Sequence, residues 1–219
     1  MTGFAKEFWN ELLTKESWEK LAEFSKRFEF IVIGGWAAYL WTGCHKSKDI
    51  DLVVEQPVLN ALREEFRVEK NPALRKYEIK FDKLDVDLYA PYYSRLAVPP
   101  EELGKYATKV QGITTVTPEV LLVLKQGAEI ERRGTIKGEK DAIDLLTLLM
   151  RAPIDLGKYS AAARKYGHGN YPEELCAVVK RYDAKKTDYL GAGFKEFAGW
   201  RRAFLQEMKE TRQRVPKTG

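Results

Sequence analysis

The most constraining feature of this chain is a short apolar run closed by two glycines and followed by a pair of acids. Phe30-Ile31-Val32-Ile33 leads into Gly34-Gly35, thirteen residues run from Trp36 to Lys48, and Asp49-Ile50-Asp51-Leu52-Val53-Val54 follows. The first run is short and ends in β-branched residues, so it predicts a buried strand. Asp49 and Asp51 stand two apart on a second expected strand, which turns both carboxylates to one side. Two like charges on one face repel unless a cation or basic partner offsets them. Hard divalent ions such as Mg²⁺ prefer carboxylate oxygens and usually share their site with substrate phosphates. Gly34 and Gly35 close the first strand at the start of a helix. Without side chains there, a phosphate can approach the backbone N–H groups, where the helix dipole favours an anion. An acidic pair beside such a cradle suits two-metal phosphoryl chemistry.

The flanking sequence supplies alternating helices and strands. Phe4, Phe8, Leu12 and Leu13 recur at helical spacing, and so do Trp18, Leu21, Phe24 and Phe28 after Ser17 as an N-cap. Two packed helices are therefore expected ahead of the first strand. Residues 36–41 predict a short helix stopped near Gly43, and residues 57–66 another that tolerates Pro57 in its first turn. The runs 77–81 and 84–89 flank Asp82-Lys83, a two-residue hairpin link. Gln111-Gly112 suggests a further turn between short strands. Thr117-Pro118-Glu119 then opens a helical region, with further helices expected over residues 139–150, from Asn170, and from Phe194 to about Arg214. The expected class is α+β: a small mixed β-sheet flanked by helices over residues 1–116, and a C-terminal α-helical region over 117–219.

Composition narrows the functional classes. The chain of 219 residues is 44% hydrophobic and 12% aromatic, enough to bury a core and unlike a disordered chain. No apolar stretch approaches the roughly 20 residues needed to cross a bilayer. The acid-bearing N-terminus is unlike a secretory leader, and Cys44 and Cys176 form no metal or redox motif. A cytoplasmic protein with no membrane partner is expected. From Arg151 onward 15 Lys and Arg face 8 Asp and Glu, a charge of +7, which leaves −2 for residues 1–150. A basic tail fits a polyanionic partner such as RNA.

The order Gly34-Gly35, then Asp49-Ile50-Asp51 within Ser47-Lys48-Asp49-Ile50-Asp51-Leu52-Val53, resembles the nucleotidyltransferase fold superfamily, the group that includes DNA polymerase beta. That resemblance implies a third carboxylate from a later strand. Asp85 and Asp87, in Lys83-Leu84-Asp85-Val86-Asp87-Leu88-Tyr89, face one side, and spacing does not choose between them. Asp87 is favoured as lying nearer the strand's end. The segment from Leu122 to Leu146, with Lys125, Arg132-Arg133 and Lys140-Asp141, is similar to minimal nucleotidyltransferases of toxin and abortive-infection type.

The resemblance implies transfer of a nucleoside monophosphate from an NTP to an acceptor hydroxyl, with release of pyrophosphate. Asp49, Asp51 and Asp87 would hold two Mg²⁺ ions, with Mn²⁺ as a substitute. Gly34, Gly35, Ser47, Lys48, Lys125 and Lys140 would meet the nucleotide and its phosphates. The acceptor is left open between RNA or tRNA, a small molecule and a protein side chain. The basic final helix, through Arg201, Arg202, Lys209, Arg212 and Arg214, points to RNA. The alternative is a non-catalytic nucleotide- or partner-binding module of the same fold, as half of a toxin–antitoxin pair.

Overall fold

A computed structural model of the chain describes residues 11–214, which fall into two compact units, residues up to Thr117 and from Pro118 onward. Phe4 and Phe8, expected on the first amphipathic helix, lie outside the described residues, as does the side chain of Arg214.

The first unit begins with helix α1, Glu11–Ser25. It runs unbroken through Ser17, the expected N-cap. Ser17 is instead fully buried, and its Oγ accepts a hydrogen bond of 2.8 Å from Trp36 Nε1. The tertiary partner outweighs the capping tendency, because a buried indole N–H must find an acceptor. Trp36 lies on α2, Gly34–Thr42, which follows β1, Ile31–Ile33. Its ring packs 5.1 Å from Trp18 and 5.4 Å from Tyr39, pinning α1 against α2. Gly43 ends α2 in the left-handed conformation, φ 70°, and donates its N–H to the Tyr39 carbonyl, as helix-stopping glycines do.

Strand β2 is Ile50–Val53, followed by α3, Gln56–Glu65, with Pro57 in its first turn. Then come β3, Val68–Asn71, β4, Lys76–Lys80, and β5, Asp85–Tyr89. The β4–β5 hairpin turns through Asp82-Lys83: Phe81 N–H reaches the Leu84 carbonyl at 3.0 Å, and Lys80 stands opposite Asp85. A short helix α4, Pro100–Leu103, precedes β6, Ala107–Val110, and β7, Ile113–Val116. Gln111 and Gly112 both take positive φ, 52° and 81°, the requirement of a tight two-residue hairpin turn. Sequence reading did not find β3 or α4.

Among the described residues these strands form one mixed sheet in the order β3-β4-β5-β2-β1-β7-β6. The β2–β5 and β1–β7 pairs are parallel and the others antiparallel. Val32, Ile50, Leu52, Val86 and Leu88 are fully buried on the central strands, and on β2 and β5 they alternate with Asp51, Asp85 and Asp87.

The second unit is helical: α5, Pro118–Arg132; α6, Ile136–Arg151; α7, Leu156–Lys165; α8, Tyr171–Arg181; and α9, Phe194–Arg214. The Gly-rich link after α5 is shorter than the sequence suggested, because Thr135 caps α6 through the Gly138 N–H and starts it earlier. Helix α7 was also missed; Asp155 caps it through the Lys158 N–H. Leu121, Leu145, Tyr159, Leu175 and Phe197 are buried in this unit. No helix of the described residues is long and apolar enough to cross a membrane.

Candidate active site

Two registers build the candidate site. Strand β1 runs antiparallel to β2 and sets Ile33 opposite Asp51, so Gly34 comes directly after the partner of the second acid. Gly34 adopts φ 67°, and a Cβ placed on it would fall 2.0 Å from Asp51 Oδ2. Only glycine permits both that backbone and that approach. Strand β2 runs parallel to β5 and sets Asp51 opposite Asp87, while antiparallel β4 sets Glu78 opposite Asp87. Residues paired across neighbouring strands share a face, so Glu78, Asp87 and Asp51 stand in a row on the sheet.

Side-chain contacts fill in the row. Lys76, one residue pair along from Glu78 on the same face of β4, puts Nζ 2.6 Å from Asp87 Oδ2 and 3.0 Å from Glu78 Oε1. Asn71 Nδ2 donates to Glu78 Oε1 at 3.0 Å, and Tyr89 OH donates to Asp51 Oδ1 at 3.3 Å. Burial, together with the charge of Asp51, pushes the Asp87 carboxyl up to about 6, against the pull of Lys76. Burial works against the Lys76 ammonium, yet Asp87 and Glu78 outweigh it and raise its pKa. One lysine does not neutralise three neighbouring carboxylates.

Asp49 is exposed, immediately before β2, and Asp85 is half-buried opposite Lys80. Asp87 and not Asp85 therefore faces Asp51, and register is a stronger reason for preferring it than nearness to the strand's end. Ser47 is buried and Lys48 half-buried on the approach to Asp49. Lys76, Glu78 and Tyr89 escaped the sequence reading. Counting back from the Asp82-Lys83 link would have put Glu78 opposite Asp87, so that signal was present.

Among the described residues, no three His, Cys, Asp or Glu side chains stand grouped to hold a metal as placed. At Asp87 the position is taken by an ammonium. The donor set nonetheless fits a hard divalent ion: carboxylates from adjacent strands, one of them, Asp87, raised in pKa by burial and by the neighbouring charge of Asp51.

Lys125 and Lys140 belong to the helical unit and converge on one carboxylate. Lys125 Nζ lies 2.6 Å from Asp144 Oδ2, Lys140 Nζ 3.5 Å from the same oxygen, and Arg132 Nη2 2.8 Å from Asp141 Oδ2. Lys125, Asp141 and Asp144 are all buried. On the final helix Arg202, Lys209 and Arg212 are exposed, with Arg212 paired to Glu173, and Arg201 lies over the Phe197 ring.

No protein-family model matches the sequence, and no curated protein matches it. Solved structures do. An H. pylori protein assigned as a nucleotidyltransferase superposes with a TM-score of 0.54 at 14% identity, covering 94% of this chain and 97% of its own. JHP933 from Helicobacter pylori superposes with a TM-score of 0.51 at 13% identity, over 94% and 97%. The chain has the nucleotidyltransferase fold. In the first unit the glycine turn at Gly34 lies against Asp51, and Asp51 pairs with Asp87 of β5.

Proposed function

We propose that the chain is a Mg²⁺-dependent nucleotidyltransferase that moves a nucleoside monophosphate from an NTP to an acceptor hydroxyl. The observation that carries this reading is the parallel register of Asp51 and Asp87 beside the close approach of Gly34. Asp49, Asp51 and Asp87 would hold the metal, which when bound supplies charge stabilisation to the triphosphate and a lower pKa to the acceptor hydroxyl. The backbone N–H groups at Gly34 and Gly35 open α2 and would accept phosphate oxygens there. Ser47 and Lys48 flank the acids and would contact the same phosphates. Asp87, paired with Asp51 across the parallel strands, would take the proton that the acceptor hydroxyl loses as its oxygen bonds to the α-phosphorus. The bond from that phosphorus to the β-phosphate oxygen breaks, and pyrophosphate leaves.

RNA is the acceptor class best supported, by the exposed basic residues of α9 and the +7 charge beyond residue 150. Lys125 and Lys140 would assist the nucleotide only by leaving Asp144. Incubation with each α-labelled NTP, Mg²⁺ and total RNA tests the reading. Label transferred to RNA by the wild type, and lost in Asp51→Asn, is expected; no transfer to RNA, protein or small acceptors argues against it. RNA binding by α9 would also weaken steeply with added salt.

A second reading, a non-catalytic module of the same fold, is favoured by one observation: the Lys76 ammonium sits on Asp87, closing a ligand position. In that case NTP binds, or a protein partner does, without turnover.

A further inference from the structure

The row of acids contains a cation of its own. Lys76 is largely enclosed, as are the two carboxylates it touches, with side chains 13–15% exposed. It touches two acceptors at once: Asp87 Oδ2 at 2.6 Å and Glu78 Oε1 at 3.0 Å. Glu78 is held in place by the Asn71 amide at 3.0 Å, and the more exposed Lys80 ammonium stands 3.7 Å from its other oxygen. Asp87 faces Asp51 on its other side. A lysine so placed has two seats, one on an acid that a metal would need and one on an acid a strand further from Asp51.

We propose that Lys76 is a resident counter-ion that competes with the divalent metal for Asp87, and that Glu78 is the seat it keeps when the metal enters. This rests on the metal-site reading above. Without metal, Lys76 offsets the mutual repulsion of Asp51 and Asp87 and holds the third acid in place. When the metal binds, the ammonium loses Asp87 and stays on Glu78, already within hydrogen-bond distance. The lysine thereby sets how tightly metal is held, acting as a positioning residue.

Two experiments on the full chain test this. In the first, Mn²⁺ binding is measured by calorimetry on wild type, Lys76→Met and Glu78→Gln, with folding checked by circular dichroism. Removing a cation in contact with a ligand oxygen should tighten binding on the order of tenfold or more, given unit charges at that distance in a partly screened site. Glu78→Gln, which removes the second seat, should weaken it. In the second, wild-type lysines are acetylated with and without Mg²⁺ and mapped by mass spectrometry. Labelling of Lys76 should rise several-fold with Mg²⁺, while Lys125 in the other unit should not change; this readout does not depend on any variant folding. Mn²⁺ binding by wild type that Lys76→Met fails to tighten, or Lys76 labelling indifferent to Mg²⁺, overturns the competition alone. Absence of Mn²⁺ binding to every form overturns the metal site and the competition together.

Discussion

Asp51 and Asp87 face each other across the adjacent parallel strands β2 and β5, and burial together with the charge of the first holds the carboxyl of the second up at about 6. An acid in that state is a burden on the fold. Proteins place such burdens where function needs a strong local field, and relieving them commonly raises stability at the cost of activity.

Asp87→Asn should therefore stabilise the metal-free protein while abolishing transfer. The sign follows from linkage. The folded-state pKa lies above the unfolded value of 3.8, so the destabilisation is complete above about pH 6 and fades as pH falls toward 3.8. In chelator, Asp87→Asn should exceed wild type at pH 7.5 by on the order of 1–3 kcal/mol, and the gap should close by pH 4. Urea denaturation across that range measures it. A variant less stable than wild type at pH 7.5 would show the Lys76 contact to outweigh both burial and the Asp51 charge.

Gly34→Ala should lose both stability and transfer. The added Cβ meets Asp51 Oδ2 at 2.0 Å and forces an alanine into φ 67°. Gly112 is a fitting control, with φ 81° and nothing within 4 Å of an added Cβ. Gly112→Ala should cost only backbone strain, roughly 1–2 kcal/mol. Gly34→Ala should cost more than this in thermal denaturation, and equal costs would remove the evidence for a tight Gly34–Asp51 approach.

Lys125→Ala should destabilise the helical unit by about 3–5 kcal/mol, the usual result of stripping one partner from a buried ion pair. Its ammonium is 2.6 Å from Asp144 and 3.9 Å from Asp141, both buried. Lys140, at 3.5 Å from Asp144, softens the loss. A change below about 1 kcal/mol in urea denaturation, with transfer abolished, would instead show a lysine reserved for the nucleotide.

Tyr159→Phe should cost roughly 1–3 kcal/mol, the penalty for an unsatisfied buried acceptor. The Tyr159 hydroxyl donates to Gln126 Oε1, and the Gln126 amide donates to the Tyr171 carbonyl at 2.7 Å. Both Gln126 and Tyr159 are fully buried. Chemical denaturation measures the loss, and a neutral substitution would mean that the amide finds another partner.

Local patterns made much of the first unit legible. Gly34-Gly35 and the Asp82-Lys83 link each act over a few residues and stand where expected, at the end of β1 and in the β4–β5 turn, whereas of the spaced aspartates Asp51 lies on β2 and Asp49 just before it. What the sequence hid was non-local. Ser17 looks like a helix cap until Trp36 is known to lie over it. Strand β3 is a short edge strand, half-buried and charged, with no apolar alternation to reveal it. Lys76 reads as one lysine among many until the hairpin register sets it beside Asp87. The resemblance implied a third acid at Asp85 or Asp87 and spacing did not choose between them; the pairing of β2 with β5 says which of them faces Asp51.

A crystal of the full chain soaked with Mn²⁺ and a non-hydrolysable NTP, with the metal located by anomalous scattering, tests the site most directly. Manganese within about 2.5 Å of oxygens of Asp51 and Asp87, phosphates at Gly34, and Lys76 withdrawn onto Glu78 is the expected result. Nucleotide bound with Lys76 still on Asp87, and no metal between the two aspartates, would contradict it.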